Sequence, residues 1–243
     1  MNVAKIIEGL ERFAAARDPD ALGRALRHQA GELGFSAFIY ALRVPDSFVG
    51  ARVVQVKGYP DAWLERYWER DYYAVDPVIE HCTKSVLPMT WGDLHPRMSV
   101  AGRAMMLEAS EIGLADGAST GVHGPAGELG ILSFARERAR VRSKADRRHT
   151  LGVTQLLAAH VHESVRRVFG VAAPPVRLSR RERECLSWAA EGKTSWEISL
   201  LLTISERTVN FHLDNAVARL GASNRQHAIA RAIASGMLRP RPF

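Results

Sequence analysis

The sequence predicts an α+β protein: an α/β/α sandwich with an antiparallel sheet, followed by a small all-α bundle. Three observations favour this class. Residues 1–170 carry hydrophobic patterns in the order helices, strands, helices, strands, helix, without the regular alternation that parallel sheets require. Residues 178–243 carry helical patterns only. The paired prolines of VAAPPV, residues 171–176, separate the two parts, so we predict a linker over 171–177.

The elements of the first part follow from the spacing of apolar residues and from the turn residues between them. Two opening helices, separated by Asp18 and Pro19, precede a pair of strands. Three helical segments lead to a second pair of strands, whose connection HGPAGE is suited to a hairpin. The predicted ranges are helices 3–16, 21–33, 61–70, 76–83, 99–112 and 144–169, and strands 37–43, 52–57, 118–123 and 129–136.

The second part carries four helical patterns, each opened by a side chain that can cap a helix. In the first two, a glutamate follows the cap by three residues, which is the spacing of a capping box. Gly192 ends the first helix, residues 203–204 form a turn between the second and third, and Gly221 ends the third. The predicted caps are Ser179, Thr194, Ser205 and Ser223.

The third of these helices has one apolar and one polar face. Val209 and Leu213 predict its buried stripe, while Ile198, Leu201 and Leu202 predict that of the second helix. Polar side chains of the third helix therefore project away from the core, where they can read base edges. Two helices joined in this way are typical of a DNA-binding helix-turn-helix. The side chains expected at DNA are Lys193, Thr194, Arg207, Thr208, Asn210, His212 and Arg225.

The charge of the second part is consistent with a nucleic-acid partner. From residue 176 onward, eleven Lys and Arg residues stand against six acidic ones, a net charge of +5 out of +7 for the chain. Such cations can neutralise phosphates, which makes binding weaken with added salt. A basic bundle whose charges are simply solvated is the alternative that composition leaves open.

The second part resembles the LuxR-type helix-turn-helix family. The family's acidic residue early in the first helix and the glycine at its end fall on Glu182 and Gly192. The stretches GKTSWEI, SERTVNFH and RLGASNR lie where the family has its second helix, recognition helix and following turn. The resemblance implies that Asn210 faces the bases and that Lys193 and Thr194 lie near the phosphates.

The first part is then expected to hold the input that controls this module. A phosphorelay receiver would show alternating strands and helices with paired acids after the first strand, and neither feature appears. The sequence has no stretch long enough to span a membrane and no signal-peptide pattern, so we expect a cytoplasmic protein. Its two cysteines, Cys82 and Cys185, lie in different parts and predict reduced thiols. Neither a metal nor a cofactor is predicted.

An aromatic and acidic cluster around GYPDAWLERYWERDYYAVDP is the most informative feature of the first part. Trp63 and Tyr67 are one helical turn apart, Tyr59 precedes them, Asp76 follows, and Trp91 lies farther on. Hydroxyl and indole donors with one carboxylate among apolar surfaces suit a pocket for a small ligand that is partly polar. Aromatic residues at this spacing are also common in cores, and an aspartate before a proline is often only a helix cap.

This stretch resembles the acyl-homoserine-lactone-binding domain of LuxR-type quorum-sensing receptors. The resemblance covers essentially the whole chain, and HCTKSVLPMTW and GELGILSF are similar to a LasR-like subgroup. It implies that Trp91 packs against the lactone ring and that Tyr67 lines the pocket. The family's characteristic residues fall on Trp63, Tyr67, Asp76, Pro77, Trp91 and Gly117.

The same resemblance implies the polar contacts of the ligand. Asp76 is expected to accept from the amide N–H, and the Trp63 indole to donate to the lactone carbonyl. Tyr59 and Ser133 match positions whose hydroxyls reach the amide carbonyl, although Ser133 is equally compatible with an ordinary strand residue.

These interpretations lead to one function. We predict a quorum-sensing transcriptional regulator that binds an N-acyl-homoserine lactone in domain 1–170 and, as a homodimer, binds promoter DNA through domain 178–243. RNA polymerase is a further candidate partner. A lactone-hydrolysing enzyme is the alternative, but the sequence contains neither GxSxG nor HExxH. The side chains considered as limits on the acyl chain are Ile131, Leu42 and Val54.

Overall fold

A computed structural model of the chain describes residues 3–45, 50–124, 127–138, 143–171 and 176–238. Backbone contacts divide the chain into two compact units. The first comprises Met1–Val44, Val53–Gly124 and Leu129–Val171, and the second comprises Ala172–Phe243 with the short segments Pro45–Arg52 and Pro125–Glu128. The centre of the predicted linker, residues 172–175, lies outside the described residues. Within the described ranges, no helix is both long and apolar enough to cross a membrane.

The first unit contains every helix and strand that the sequence predicts for it, with ends that differ by a few residues. A two-residue strand and a short helix, together with single 3-10 turns at Tyr72–Ala74 and His95–Arg97, were not predicted. The elements are α1 Val3–Ala15, α2 Pro19–Glu32, β1 Ala37–Pro45, β2 Ala51–Gly58, α3 Asp61–Glu69, α4 Pro77–Lys84, β3 Met89–Thr90, α5 Trp91–Leu94, α6 Val100–Glu111, β4 Asp116–His123, β5 Leu129–Arg136 and α7 Lys144–Val168.

The five strands form one sheet in the order β2-β1-β5-β4-β3. Strand β5 pairs antiparallel with both β1 and β4, and β4 pairs antiparallel with β3. Buried side chains form one cluster with α1, α2 and α7 and a second cluster with α3 to α6. The prediction of an antiparallel sheet covered by helices on both faces is confirmed.

The two faces of the sheet carry side chains of very different size. Because successive strand residues point to opposite faces, the allocation follows from the register. The face toward α1, α2 and α7 is filled by Phe38, Tyr40, Leu42, Leu132 and Phe134. The face toward α3 to α6 also carries Ile39 and Ile131, but most of its residues are small and leave room for the aromatic side chains of those helices: Ala37, Gly117, Ser119, Gly121, Ser133 and Ala135.

The second unit is helical, with α8 Arg180–Ala190, α9 Ser195–Leu202, α10 Glu206–Arg219 and α11 Arg225–Ala234. The capping boxes at Ser179 and Thr194 and the cap at Ser205 are confirmed. The predicted cap of the fourth helix is wrong by one residue. Asn224 Oδ1 accepts from the backbone N–H of His227 at 2.8 Å, whereas the Ser223 hydroxyl lies 3.1 Å from the His227 ring nitrogen.

The core of this bundle is smaller than the sequence predicts. Ile198, Val209 and Leu213 are buried as expected, but Leu201 is 49% exposed. Because successive helical residues point in different directions, Ile198 faces the core while Leu200 and Leu201 lie on the exposed side of α9. A buried glutamate holds two helices together, since Glu182 accepts from Arg219 of α10 at 3.0 Å.

Candidate ligand and DNA sites

Asp76 has two structural roles in the first unit. Its Oδ1 atom accepts from the backbone N–H of Val78 at 2.7 Å, which caps α4. Its Oδ2 atom accepts from the phenolic hydroxyl of Tyr67, on α3, at 2.8 Å. Asp76 is therefore a helix cap and also the acceptor at the centre of the aromatic cluster, so the two interpretations of this residue are compatible.

Burial perturbs the acid–base groups of this cluster. It raises the pKa of Asp76, against the lowering effect of hydrogen bonds from Tyr67, Val78 and Ile79. It also raises the pKa of Tyr67, and the neighbouring Asp76 charge adds to that rise. Tyr67 is therefore a neutral hydroxyl donor across the physiological range, which suits its bond to the carboxylate.

Trp63 lies beside the carboxylate and is only 4% exposed. Its ring is in edge contact with Tyr67, at a centroid distance of 6.1 Å, and in tilted contact with Tyr72, at 5.7 Å. Among the described residues, none accepts a hydrogen bond from its indole N–H. The indole is held in place by packing, and its donor is available to a ligand.

Trp91 is held from two directions. Its indole N–H donates to Ser119 Oγ on β4 at 3.0 Å, and Ser119 in turn donates to Ser133 Oγ on β5 at 2.7 Å. Gly117 supplies the space for the ring, because a Cβ at this position would overlap the indole and would lie 2.7 Å from the carbonyl oxygen of Phe134. The predicted residues Trp91, Gly117 and Ser133 thus belong to one packed group.

The Tyr59 hydroxyl is buried beside Ser133 and forms no well-aligned hydrogen bond with any described residue. Burial raises the pKa of this phenol, the Asp76 charge adds to the rise, and the nearby Ser133 hydroxyl opposes it. A buried hydroxyl without a partner costs about 1–3 kcal/mol. A ligand acceptor would remove that penalty.

The structure brings all six predicted ligand-site residues to one side of the sheet. Trp63 and Trp91 belong to the buried cluster between α3 to α6 and the sheet, and Tyr59 and Tyr67 pack against it. Of the three residues suggested from the sequence as limits on the acyl chain, two lie away from the aromatic cluster. Leu42 and Val54 belong to the opposite cluster with α1, α2 and α7, while Ile131 packs against the aromatic cluster.

Two further residues of the cluster, Ser119 and Tyr72, were not predicted from the sequence. Ser119 has no sequence pattern of its own, and only its pairing with Ser133 across β4 and β5 reveals its place. Tyr72 donates to Glu108 of α6 at 2.8 Å, and Arg70 reaches the same carboxylate at 3.0 Å. These bonds hold the end of α3 against α6, beside Trp63.

The predicted DNA-contacting residues lie in the turn that leads into α9, on α10, and at the first residue of α11. Thr194 and Thr208 take part in the caps of α9 and α10 through their hydroxyls. Arg225 donates to the backbone carbonyl of Lys193 at 2.6 Å and so joins the start of α11 to the turn before α9. Arg207 is exposed and forms no ion pair with the described residues.

Asn210 lies on the exposed face of α10, and its side chain is oriented by α9. Ser195 Oγ donates to Asn210 Oδ1 at 2.6 Å. The amide NH2 group therefore keeps both of its donors, and Oδ1 keeps a second lone pair. His212, two residues on, is half-buried in edge contact with Phe211.

Comparison with known proteins assigns a family to each part of the chain. Residues 18–165 match the family described as autoinducer binding domain, and residues 176–232 match the bacterial regulatory proteins of the luxR family. The chain is 36% identical over 248 residues to the transcriptional activator protein AhyR of Aeromonas hydrophila, covering 99% of this chain and 94% of AhyR. It is 34% identical over 230 residues to the quorum-sensing regulator RhlR of Pseudomonas aeruginosa, covering 91% of each.

Solved structures agree with these matches over both units. The crystal structure of Escherichia coli SdiA has a TM-score of 0.80 and 30% identity, covering 98% of this chain and 99% of SdiA. SdiA in complex with octanoyl-rac-glycerol also has a TM-score of 0.80, at 29% identity, covering 98% of this chain and 97% of SdiA. The chain therefore belongs to the LuxR family: it is a quorum-sensing transcriptional regulator with an autoinducer-binding domain and a DNA-binding helix-turn-helix, rather than an enzyme.

Proposed function

We propose that the autoinducer is an N-acyl-homoserine lactone bound between the small-residue face of the sheet and helices α3 to α6. One observation carries this proposal: a buried carboxylate, a partnerless phenol and a partnerless indole N–H lie in one aromatic cluster, at Asp76, Tyr59 and Trp63. An amide next to a lactone supplies one N–H donor and two carbonyl acceptors. That set complements these three groups.

Each polar atom of such a ligand has a matching side chain. The amide N–H donates to Asp76, and this donor favours the ionised carboxylate over the protonated one. The lactone carbonyl accepts from Trp63, and the amide carbonyl accepts from Tyr59 and Ser133. The apolar parts pack against Trp91 and Tyr67, which are held by hydrogen bonds to Ser119 and Asp76.

An acylglycerol is the second candidate ligand, because the relative SdiA has been solved in complex with octanoyl-rac-glycerol. An acylglycerol ester has an acceptor carbonyl but no amide N–H. It can satisfy Tyr59 and Ser133, and it offers Asp76 a hydroxyl donor in place of the amide.

Ligand binding is proposed to control promoter binding through stability and dimerisation. The buried Tyr59 hydroxyl, without a well-aligned partner, costs about 1–3 kcal/mol, so the ligand-bound fold is the more stable one. Ligand at about 100 times its dissociation constant adds roughly 2.7 kcal/mol to the stability of the folded state. A homodimer then places its two recognition helices, α10 of each copy, on half-sites about 34–36 Å apart.

The contacts proposed at DNA are those predicted from the sequence. Asn210, Thr208 and His212 face base edges, while Lys193, Thr194, Arg207 and Arg225 contact phosphates. We place this activity in the cytoplasm, where promoter DNA lies, and we propose that RNA polymerase is the further partner once the dimer is bound.

A ligand panel tests this function. The full-length protein is heated with acyl-homoserine lactones of varied chain length, with octanoylglycerol, and without ligand, and operator binding is measured in parallel. We expect at least one lactone to raise the melting temperature and to strengthen operator binding. If octanoylglycerol alone has these effects, the lactone assignment is wrong, and if no compound does, the assignment of the site is wrong.

A further inference from the structure

The aromatic cluster contains a chain of three hydrogen-bonding groups with a defined direction. An indole N–H can only donate, so Trp91 is the donor and Ser119 the acceptor of the first bond, at 3.0 Å. Ser119 has a single proton, which it donates to Ser133 across 2.7 Å. The chain thus runs from Trp91 through Ser119 to Ser133.

This direction determines what Ser133 can do. Its oxygen already accepts from Ser119, so the Ser133 proton is not used in the chain and can be donated to another acceptor. Both serines are buried, with 0% and 4% of their surface exposed for Ser119 and Ser133 respectively. The Tyr59 hydroxyl is the neighbour on that side: it lies close to Ser133 but forms no well-aligned hydrogen bond with any described residue.

We propose that Ser119 is a positioning residue that holds Ser133 as a hydrogen-bond donor toward the carbonyl oxygen of the ligand. This inference rests on the proposed function. Ser119 reaches the ligand only through Ser133. Its hydroxyl accepts from the Trp91 indole, and this bond fixes the direction in which Ser119 donates to Ser133.

The register of β4 and β5 explains why the residue at position 119 can orient Ser133. Ser119 and Ser133 are directly opposite each other on β4 and β5, so their side chains leave the sheet on the same face. Ser119 also pairs with Met89, two residues before Trp91, which brings the indole within reach. A polar neighbour at this position lets Ser133 accept and donate at once, and hydrogen bonds in such chains strengthen each other.

A double-mutant cycle tests the inference in the full-length protein. Ser119→Ala, Ser133→Ala and the double variant are titrated with the lactone that most stabilises the wild type. Loss of one neutral hydrogen bond weakens binding by up to about tenfold, which we expect for each single variant. If Ser119 acts through Ser133, the double variant binds no more weakly than Ser133→Ala. Fully additive losses, or unchanged affinity in Ser119→Ala, would overturn the proposal.

Two further variants separate positioning from stability. Ser119→Thr retains the hydroxyl, so its affinity is expected within about twofold of the wild type; a tenfold loss in this variant contradicts the inference. Ser164→Ala is the matched control, because Ser164 is also a buried serine and its hydroxyl donates to the carbonyl of Phe13 at 3.0 Å in the opposite cluster. It is expected to lower the melting temperature without changing ligand affinity.

A spectroscopic measurement keeps the test independent of ligand binding. The indole N–H proton of Trp91, assigned in the ligand-free protein by comparison with Trp91→Phe, is expected to shift upfield in Ser119→Ala and to stay in place in Ser119→Thr. An unchanged shift in Ser119→Ala contradicts the first bond of the chain. If no lactone binds the wild type while the shift moves as expected, the proposed function fails and the hydrogen-bond chain itself does not.

Discussion

Tyr67 donates its phenolic proton to one oxygen of Asp76 across 2.8 Å, while the other oxygen of Asp76 caps helix α4. This relationship fixes the carboxylate in position before any ligand arrives. Each carboxylate oxygen can accept more than one hydrogen bond, so both remain able to accept from a ligand N–H. The site is thus pre-organised by its own helix cap.

Asp76→Asn tests the charge on this acceptor. Asparagine still caps a helix and still accepts from Tyr67, but a neutral hydrogen bond is about half as strong as a charge-assisted one. We expect ligand affinity to fall roughly tenfold. Asp18→Asn is the matched control, since Asp18 also caps a helix that begins with proline and accepts from Ala21 N at 2.7 Å. It is expected to bind ligand like the wild type, and equal losses in both variants would remove Asp76 from the site.

The raised pKa of Asp76 predicts a pH dependence of ligand affinity. At pH values between the ordinary aspartate pKa and the raised pKa, Asp76 holds a proton in the ligand-free fold but not in the unfolded chain. The contribution of this group to the free energy of unfolding is therefore complete below the ordinary pKa, and it is lost as the pH rises through the pKa of the folded state. A ligand N–H favours the ionised carboxylate. Binding therefore releases a proton, and affinity rises with pH through the same window.

The measurement is a series of ligand titrations from acidic to neutral pH. The wild type and Asp18→Asn are expected to share the rise in affinity, whereas Asp76→Asn, which has no proton to release, is expected to show a flat profile. A rise of the same size in Asp76→Asn would assign the titration to another group.

Gly117→Ala tests the space beneath Trp91. A Cβ at this position overlaps the indole and the Phe134 carbonyl, and overpacking of this kind costs about 1–3 kcal/mol. We expect a lower melting temperature together with weaker ligand binding, because Trp91 must move. Gly31→Ala is the control, since a Cβ there meets no atom within 4 Å, and in helix α2 it is expected to be neutral or stabilising by up to about 1 kcal/mol. A stable Gly117→Ala with normal affinity would show that the ring position is not limiting.

Asn210→Ala tests the base-reading position on α10. A specific side-chain contact to a base contributes about 1–3 kcal/mol of discrimination, so the variant is expected to lose preference at one operator position while its ligand affinity stays unchanged. Ser195→Ala removes the donor that orients Asn210 and is expected to reduce the same preference by a smaller amount. Operator variants scanned in a binding assay at fixed salt give both values. A uniform loss across all operators would indicate a phosphate contact instead.

The features predicted from the sequence are those set by local interactions. The capping boxes at Ser179 and Thr194 depend on residues three apart, and the caps are present as predicted. The short strand at Met89–Thr90 was missed because two residues carry no periodicity, and its place depends on β4, far along the chain. Leu201 was assigned to the core because it lies three residues after Ile198, but it lies at the edge of the apolar stripe and is 49% exposed.

The composition of the ligand site could be predicted only in part for the same reason. Trp63, Tyr67 and Asp76 lie within fourteen residues and form a recognisable local pattern. Ser119 meets Ser133 only through the register of two strands, and only the fold shows which helices Leu42 faces, on the side opposite to that of Ala41 and Arg43. Alternation along a strand separates the two faces without indicating which of them borders the ligand.

The unequal sides of the sheet have a consequence for protein engineering. The bulky residues of one side and the small residues of the other occupy alternating positions of the same strands, so a substitution on one side leaves the side chains of the other unchanged. We therefore expect that changes at Ala37 or Ala135 alter the surroundings of the aromatic cluster while the packing against α1, α2 and α7 stays intact.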